Sequence, residues 1–286
     1  MFPSKGITAL FIASFVFGSS AILIRFASQA SAISLTFFRL LIAAMAMILF
    51  ALASRDLRFL GMRDLALVAV SGAVLSLHFT TFIYAVKETT VANATFLVNT
   101  SPVMLAVLSP LIIKERTTSR EGIGVVVAVF GVLLVANAGN GFSTFGLADV
   151  SALLAAFLIT VYSIVGRFLR TGGVGTACYT AYVYSSAALV SLLVVGGFGV
   201  NTFQPYNTQN VLAILGLALL PTTIGHTLYN YSLGSVKTVT ANLFPLLEPV
   251  IASLFAVPLF NEVPTPIQIA GYALILAAVA IVVTNL

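Results

Sequence analysis

The stretch of sequence that decides the fold runs from Ser101 to Gly124 and reads SPVMLAVLSPLIIKERTTSREGIG. It begins with an almost wholly apolar run and becomes basic and polar at Lys114. Pro102 is followed 13 residues later by Glu115 and 9 residues after that by Gly124. An apolar run that ends in a basic cluster is typical of a helix leaving a bilayer on its cytoplasmic side.

The same spacing recurs from Glu248 to Gly271, in EPVIASLFAVPLFNEVPTPIQIAG. Here Pro249 is followed 13 residues later by Glu262 and 9 residues after that by Gly271, without a gap. Self-similarity over such a distance indicates two related halves, an organisation that many membrane transporters have.

The composition places the chain in a membrane. Only 7% of its 286 residues are charged, against about 25% in soluble proteins, and 60% are hydrophobic. So few charges cannot cover a soluble globule of this size, which excludes a soluble enzyme and a disordered chain. Cys178 is the only cysteine, which excludes a disulfide scaffold. The net charge of +5 is not gathered into a basic run, which argues against nucleic-acid binding.

Ten apolar windows are long enough to cross a bilayer, for which a helix needs roughly 20 residues. They are predicted at residues 6–25, 32–53, 65–86, 91–113, 121–138, 148–166, 175–199, 210–233, 238–260 and 266–284. The windows are continuous and too long for the alternating strands of an outer-membrane barrel. The first is longer than a signal-peptide core, so it is interpreted as a span. The predicted fold class is an all-α polytopic membrane protein with ten transmembrane helices.

The loop charges predict the orientation, because cytoplasmic loops are enriched in lysine and arginine. Ten of the 13 basic residues fall on one side: Lys5, Arg55, Arg58, Arg63, Lys114, Arg116, Arg120, Arg167, Arg170 and Lys237. Arg25 and Lys87 fall on the other side, and Arg39 lies within the second span. We therefore expect both termini in the cytoplasm, and function confined to the bundle because the loops are short.

Five spans in each half give the two halves opposite orientations in the membrane. The charges agree with this inversion, because Glu115 has a basic residue on each side whereas Glu262 has none. We predict two inverted-topology five-helix repeats, residues 1–140 with spans 1 to 5 and residues 141–286 with spans 6 to 10.

These features resemble the drug/metabolite transporter superfamily, EamA type, whose ten-span members are built from two such halves. The resemblance rests on the repeated Pro, Glu and Gly spacing, the Glu248-Pro249 pair in the ninth span and the sequence FGSS at 17–20 in the first. It implies export of small metabolites across a bacterial inner membrane, and the chain is most similar to the aromatic amino-acid exporter branch. Trp is absent, so an aromatic wall must come from the 22 Phe and 9 Tyr.

Glu248 is the most informative polar residue, because it lies about ten residues into the ninth span, and an acid at that depth is a functional candidate by default. We expect it to bind the amine of a substrate or a proton; a protonated carboxyl group that braces a neighbouring helix is the structural alternative. Pro102, Pro245 and Pro249 are predicted kinks, because proline removes a helical hydrogen bond. Broken backbone at this depth is tolerated where it lines a cavity or packs against protein.

Histidines lie near the middle of one span in each half, His78 in the third and His226 in the eighth. Each shares a helical face with aromatic neighbours, which suits a zwitterion with an organic side chain. The predicted substrate-binding residues are Glu248, His78, Asn230, His226, Phe79, Phe82, Asn99, Ser101, Tyr179 and Asn242. We expect Glu248, His78 and Asn230 to line a central cavity between the halves. The structural alternative for the uncharged residues is packing or hydrogen bonding between helices.

Arg39 lies about seven residues into the second span and admits two interpretations. Its side chain can extend to the outer interface and bind a helix end or a lipid headgroup, as long basic side chains near span ends do. Alternatively, it anchors a carboxylate of the substrate. We favour the first interpretation, because the interface is within reach of an extended arginine.

Transport by alternating access around a central cavity is the function that the repeat favours. We predict a secondary transporter, not an enzyme, that exports aromatic or other neutral amino acids and related small metabolites. A multidrug or organic-cation exporter is the alternative, because an acidic group with aromatic walls also binds amphipathic cations. An intramembrane protease is a remote alternative. His226 and Asn230 form a His-x-x-x-Asn spacing that resembles a feature of rhomboid proteases, in which a histidine activates a serine, but the chain lacks the Gly-x-Ser-Gly motif that carries this nucleophile. An ion channel is disfavoured, because it would need a selectivity loop or rings of charge and the sequence shows neither.

No metal site or cofactor is expected, since two histidines in different halves without nearby cysteines or paired carboxylates do not form a ligand set. The expected partners are a small-molecule substrate and the lipid bilayer, with no nucleic acid, and we expect a functional monomer. The sequence leaves open whether transport is downhill or coupled to protons. We favour downhill transport, because the ninth span offers no charged partner for Glu248.

Cysteine labelling in intact cells tests the topology. On a Cys178-free background, single cysteines near Asn140 and Asn201 should react with a membrane-impermeant maleimide, whereas cysteines near Arg58 and Arg116 should be protected. Tags at both termini should report the cytoplasm. Equal labelling near Arg58 and Asn140 would contradict the ten-span topology.

Overall fold

The computed structural model describes residues 4–89, 91–137, 146–260 and 263–283. Within these ranges the regular structure is helical, and ten helical segments are long and apolar enough to span a membrane. The elements are α1 Lys5–Phe17, α2 Ser20–Phe26, α3 Ala32–Ala53, α4 Met62–Glu88, α5 Val91–Val98, α6 Ser101–Ile112, α7 Ser119–Asn137, α8 Leu147–Thr171, α9 Thr176–Gly197, α10 Thr208–Leu217, a π-helical segment Ala218–His226, α11 Thr227–Ser232, α12 Thr238–Leu243, a 3-10 segment Phe244–Leu247, α13 Glu248–Phe260 and α14 Pro266–Val283. The predicted all-α class with ten spans is confirmed.

The sixth span differs most from its predicted bounds, because α8 continues beyond residue 166 to Thr171. Arg167 and Arg170 lie on this extension and donate to the carbonyl oxygens of Leu233 and Asn230, at 2.7 and 3.1 Å. The helix therefore extends beyond its apolar run, because the arginines of the extension are bonded to the backbone at the end of the eighth span.

Four spans are interrupted near their middle. The first breaks at Gly18 between α1 and α2, the fourth at 99–100 between α5 and α6, the eighth at the π-helical segment and the ninth at the 3-10 segment. Gly18 is required at the first break, because a Cβ there would lie 2.4 Å from Cγ2 of Ile251. The breaks free backbone groups at a depth where only a cavity or protein can satisfy them.

The three predicted kink prolines all lie beside these interruptions. Pro102 is in the first turn of α6, Pro245 is in the 3-10 segment, and Pro249 is the second residue of α13. Proline fits such positions, because its missing N–H would have no intrahelical partner there.

Spans 5 and 10 pack closely through glycines. A Cβ on Gly131 would lie 2.7 Å from the carbonyl oxygen of Gly271, and a Cβ on Gly271 would lie 2.6 Å from that of Gly131. Small residues let helices approach closely in lipid, where apolar burial gives little net gain. These two spans are therefore held by close contact of their backbones.

The packing follows the repeat found in the sequence. Gly124 fits against Val282, whereas its counterpart Gly271, 147 residues later, fits against Val135, which lies 147 residues before Val282. The contacts between whole spans follow the same reciprocal pattern. Span 1 packs on spans 8 and 9, and its counterpart span 6 packs on spans 3 and 4, the counterparts of spans 8 and 9. This reciprocity supports the inverted repeat, which stays a prediction together with its halves at residues 1–140 and 141–286.

The loops predicted to be cytoplasmic meet on one face of the bundle, here called the basic face. Arg58 Nη2 donates to the carbonyl oxygen of Gly173 at 2.7 Å, which joins the loops that follow spans 2 and 6. At the opposite face, the hydroxyls of Ser34 and Thr202 lie 3.1 Å apart and join the first turn of α3 to the loop after span 7. This arrangement agrees with ten spans, which place successive loops on alternate faces. Asn140, one of the positions chosen for cysteine labelling, lies outside the described residues.

Glu115 braces the basic face. One oxygen binds Arg167 Nη2 at 2.9 Å, and the other accepts from the backbone N–H and the hydroxyl of Thr238, at 2.8 and 2.7 Å. Glu115 thus caps the N-terminus of α12 and ties span 9 to span 6. Its counterpart Glu262 lies outside the described residues.

Substitution of Gly131 by alanine should destabilise the protein, because the new methyl group would overlap the backbone of span 10. We expect a loss of roughly 1–3 kcal/mol, typical of overpacking, measured as a lower Tm of the purified protein. Gly122→Ala on the same helix is the matched control, since a Cβ there meets nothing within 4 Å. An equal Tm for the two variants would contradict close packing of spans 5 and 10.

Candidate functional site

A cavity of about 620 Å³, counting the space at its mouth, lies among seven spans at the level of the helix breaks. Spans 1 to 4 and spans 6, 8 and 9 contribute its lining, which is Phe17, Ser20, Arg39, His78, Phe79, Phe82, Val98, Asn99, Ser101, Ile159, His226, Tyr229, Asn242, Pro245 and Glu248. The mixture of apolar walls with a few polar groups is typical of a ligand pocket.

Arg39 is a wall of this cavity, so the favoured interpretation of an interfacial side chain is wrong. The residue is only 2% exposed, and its Nε donates to Thr222 Oγ1 at 2.8 Å. Its guanidinium carbon lies 3.6 Å from the centroid of the Phe79 ring, a close cation–π contact. The arginine turns inward because the bundle supplies an acceptor and an aromatic face that partly replace its hydration.

Glu248 lies at the cavity as the first residue of α13, directly after the 3-10 segment. Its side chain is buried, and its Oε1 has no hydrogen-bond partner among the described residues. Arg39 and Glu248 interact electrostatically across the cavity, but no direct ion pair joins these two described residues. The charged partner absent from the ninth span is therefore supplied by the second.

The two histidines occupy different environments in the cavity wall. His78 Nδ1 lies 2.8 Å from the carbonyl oxygen of Ala155. Because a carbonyl oxygen can only accept, Nδ1 carries the proton of this hydrogen bond. His226 lies between the rings of Phe17 and Phe79, with centroids 4.9 and 5.0 Å away. Its Nδ1 has no partner within the described ranges, so this histidine presents an unsatisfied polar atom beside an aromatic wall.

Uncharged polar groups form another part of the wall. Tyr229 OH lies 2.7 Å from Ser163 Oγ, and Asn242 Nδ2 donates to both of these hydroxyls. Asn99 Nδ2 is buried at the cavity and has no partner in the described part of the chain. Unsatisfied buried atoms are costly, so those of Asn99, His226 and Glu248 mark this cavity as a place where a polar ligand can bind.

Asn230 and Tyr179, two of the predicted substrate-binding residues, are not among the residues that line this cavity. Asn230 Nδ2 donates to Tyr162 OH at 2.6 Å, and the hydroxyl of Tyr179 lies 2.8 Å from Ser71 Oγ. All of these side chains are fully buried between helices. Bonding between helices, the structural alternative, describes these two residues.

Sequence reasoning missed several residues of the wall. Phe17 and Ser20 lie in the FGSS sequence that carries the family resemblance, and Tyr229 shares a helical face with His226, so a signal for these residues exists. Val98 and Ile159 are apolar residues in apolar spans and carry no sequence signal.

A family model described as the EamA-like transporter family matches residues 4–137 and 146–284 of the chain. The two matches together include nearly all of the sequence and leave only the segment between them and the extreme ends.

Several proteins are similar over most of their length. The uncharacterized transporter YdfC of Bacillus subtilis is 28% identical over 83% of this chain and 77% of its own. A protein of Streptantibioticus cattleyicolor, named a probable terminal-alkyne amino-acid exporter, is 29% identical over 77% of this chain and 73% of its own. A crystal structure of a protein that is 20% identical superposes with a TM-score of 0.81, covering 98% of this chain and 97% of that one, and shares the fold.

A cysteine in place of Ser20 should report the cavity. On a Cys178→Ala background, Ser20→Cys in the detergent-solubilised protein should react with a small methanethiosulfonate reagent, because the side chain lines an open pocket. Ser191→Cys is the control, since Ser191 is buried in α9 away from the cavity and bonds Ala188. Equal reaction rates at the two positions would contradict the cavity.

Proposed function

Because the chain belongs to the EamA-like transporter family, in the drug/metabolite transporter superfamily, we propose that it exports amino acids, aromatic or other neutral ones, and related small metabolites. The membrane is a bacterial inner membrane, with both termini in the cytoplasm. The proposed functional unit is a single protomer.

The observation that carries this proposal is the presence of an arginine and a glutamate in one cavity with aromatic walls. Arg39 and Glu248 both line it, and neither is neutralised by a direct ion pair with the other. A zwitterion satisfies both groups at once, with its carboxylate toward Arg39 and its ammonium toward Glu248. Phe17, Phe79 and Phe82 then offer an apolar surface to the substrate side chain.

Alternating access is the mechanism that this arrangement supports. The cavity lies at the level of the broken spans and between the predicted halves, where rocking of one bundle against the other opens a central site to each side in turn. The amino-acid exporter of Streptantibioticus cattleyicolor is a relative with a function of this class.

Export of amphipathic organic cations is the second candidate function. Glu248 beside several phenylalanine rings is a suitable site for an amine, since aromatic faces attract cations. Arg39 disfavours it, because a cation in the cavity would be repelled by the buried guanidinium.

Flux into proteoliposomes across a panel of amino acids and cationic drugs tests the proposal. Wild-type protein should move neutral amino acids, and Glu248→Gln should slow them roughly tenfold or more, because a hydrogen bond to a charged group contributes about 1.5–3 kcal/mol. Glu88→Gln, an exposed carboxylate at the end of α4, is the control and should leave the flux unchanged. Transport of cationic drugs alone would reject amino-acid export in favour of the second candidate.

A further inference from the structure

The π-helical segment in the eighth span has a specific hydrogen-bond pattern. Thr222 Oγ1 donates to the carbonyl oxygen of Leu217, five residues earlier, at 2.7 Å, and Thr223 Oγ1 donates to that of Ala218 at 2.8 Å. Pro221 within the segment has no N–H to offer. Segments of this kind are rare, and they occur frequently at functional sites because the widened turn displaces residues from their α-helical positions.

In the wide turn, the hydroxyl of Thr222 can act toward other spans only as a hydrogen-bond acceptor. A hydroxyl has one hydrogen, which here points to Leu217, so the oxygen of Thr222 is left to accept. Arg39 Nε donates to this oxygen at 2.8 Å. The backbone carbonyl of the same threonine accepts from Tyr184 OH at 3.2 Å, which fixes the turn from span 7 as well.

These contacts orient the guanidinium group. Nε is held by Thr222, and one face lies against the Phe79 ring. The remaining edge carries Nη1 and Nη2. Among the described residues Arg39 donates a hydrogen bond through Nε alone, and its side chain is buried at the cavity. Two parallel N–H groups on a planar fork match a carboxylate in a bidentate arrangement.

We propose that Thr222 is a positioning residue that makes this transporter selective for carboxylate-bearing substrates, by holding Arg39 so that its Nη edge binds the substrate carboxylate. The inference rests on the proposed transport of amino acids and identifies the group that selects them. An amine of the same shape but without the carboxylate leaves the Nη edge of Arg39 without a partner in a buried site and places a second positive charge beside it. Sites with buried groups that depend on the substrate for a partner reject such analogues strongly.

The experiment compares phenylalanine with phenethylamine, which has the same ring and amine but no carboxylate, in proteoliposomes of the full chain. Wild-type protein should prefer phenylalanine. Thr222→Val keeps the shape but removes the acceptor, and it should lower the ratio of phenylalanine to phenethylamine flux roughly tenfold or more. Thr222→Ser keeps the hydroxyl and should restore the ratio.

Thr223→Val is the matched control, because Thr223 makes the same backward hydrogen bond in the same segment and no described contact with Arg39. It should leave the ratio unchanged. An equal loss of both fluxes in the two valine variants, or an unchanged ratio in Thr222→Val, would overturn the inference and leave amino-acid transport standing. Failure of the wild type to move any amino acid would overturn the proposed function together with the inference.

Should Thr222→Val fail to fold, Arg39→Lys decides the question. Lysine keeps the charge but lacks the fork, so the same fall in the flux ratio is expected. An unchanged ratio in Arg39→Lys would reject bidentate recognition of the carboxylate.

Discussion

The burial of a guanidinium group in the middle of a membrane protein is the constraint on which the site depends. Desolvation of a charge is expensive, and it is tolerated only where the surroundings supply acceptors, counter-charge or aromatic faces. Arg39 receives all three, from Thr222, from Glu248 across the cavity and from Phe79. These partners come from the eighth, ninth and third spans, so the charge can be buried only when both predicted halves are assembled around it.

The irregular backbone serves the same requirement. The π-helical segment sets the hydroxyl of Thr222 toward Arg39, and the 3-10 segment ends where Glu248 begins α13 at the cavity. At the basic face, Glu115 binds Arg167 and caps α12, which fixes the end of the broken ninth span. Regular spans thus provide the frame, and the interrupted spans place the charged groups.

The ten spans were predictable because bilayer thickness imposes a length and a composition on each helix. The approach of Glu248 and His78 to a cavity was predictable from their depth, since an ionisable group there has few alternatives. The position of Arg39 was not, because its acceptor Thr222 lies 183 residues away in the sequence and the reach of an arginine also permits an interfacial position. Asn230 and Tyr179 show the converse, because the same residue types bond between helices when a partner such as Tyr162 or Ser71 is near.

The orientation of a bound amino acid tests most directly whether the two cavity charges recognise a zwitterion. A crystal structure with 4-bromophenylalanine would locate the ring by the anomalous signal of its bromine. We expect the molecule inside the cavity, with its carboxylate oxygens about 2.7–2.9 Å from the Nη atoms of Arg39 and its ammonium beside Glu248. An amino acid bound in the reverse orientation, or bound only outside the cavity, would contradict recognition by these two charges.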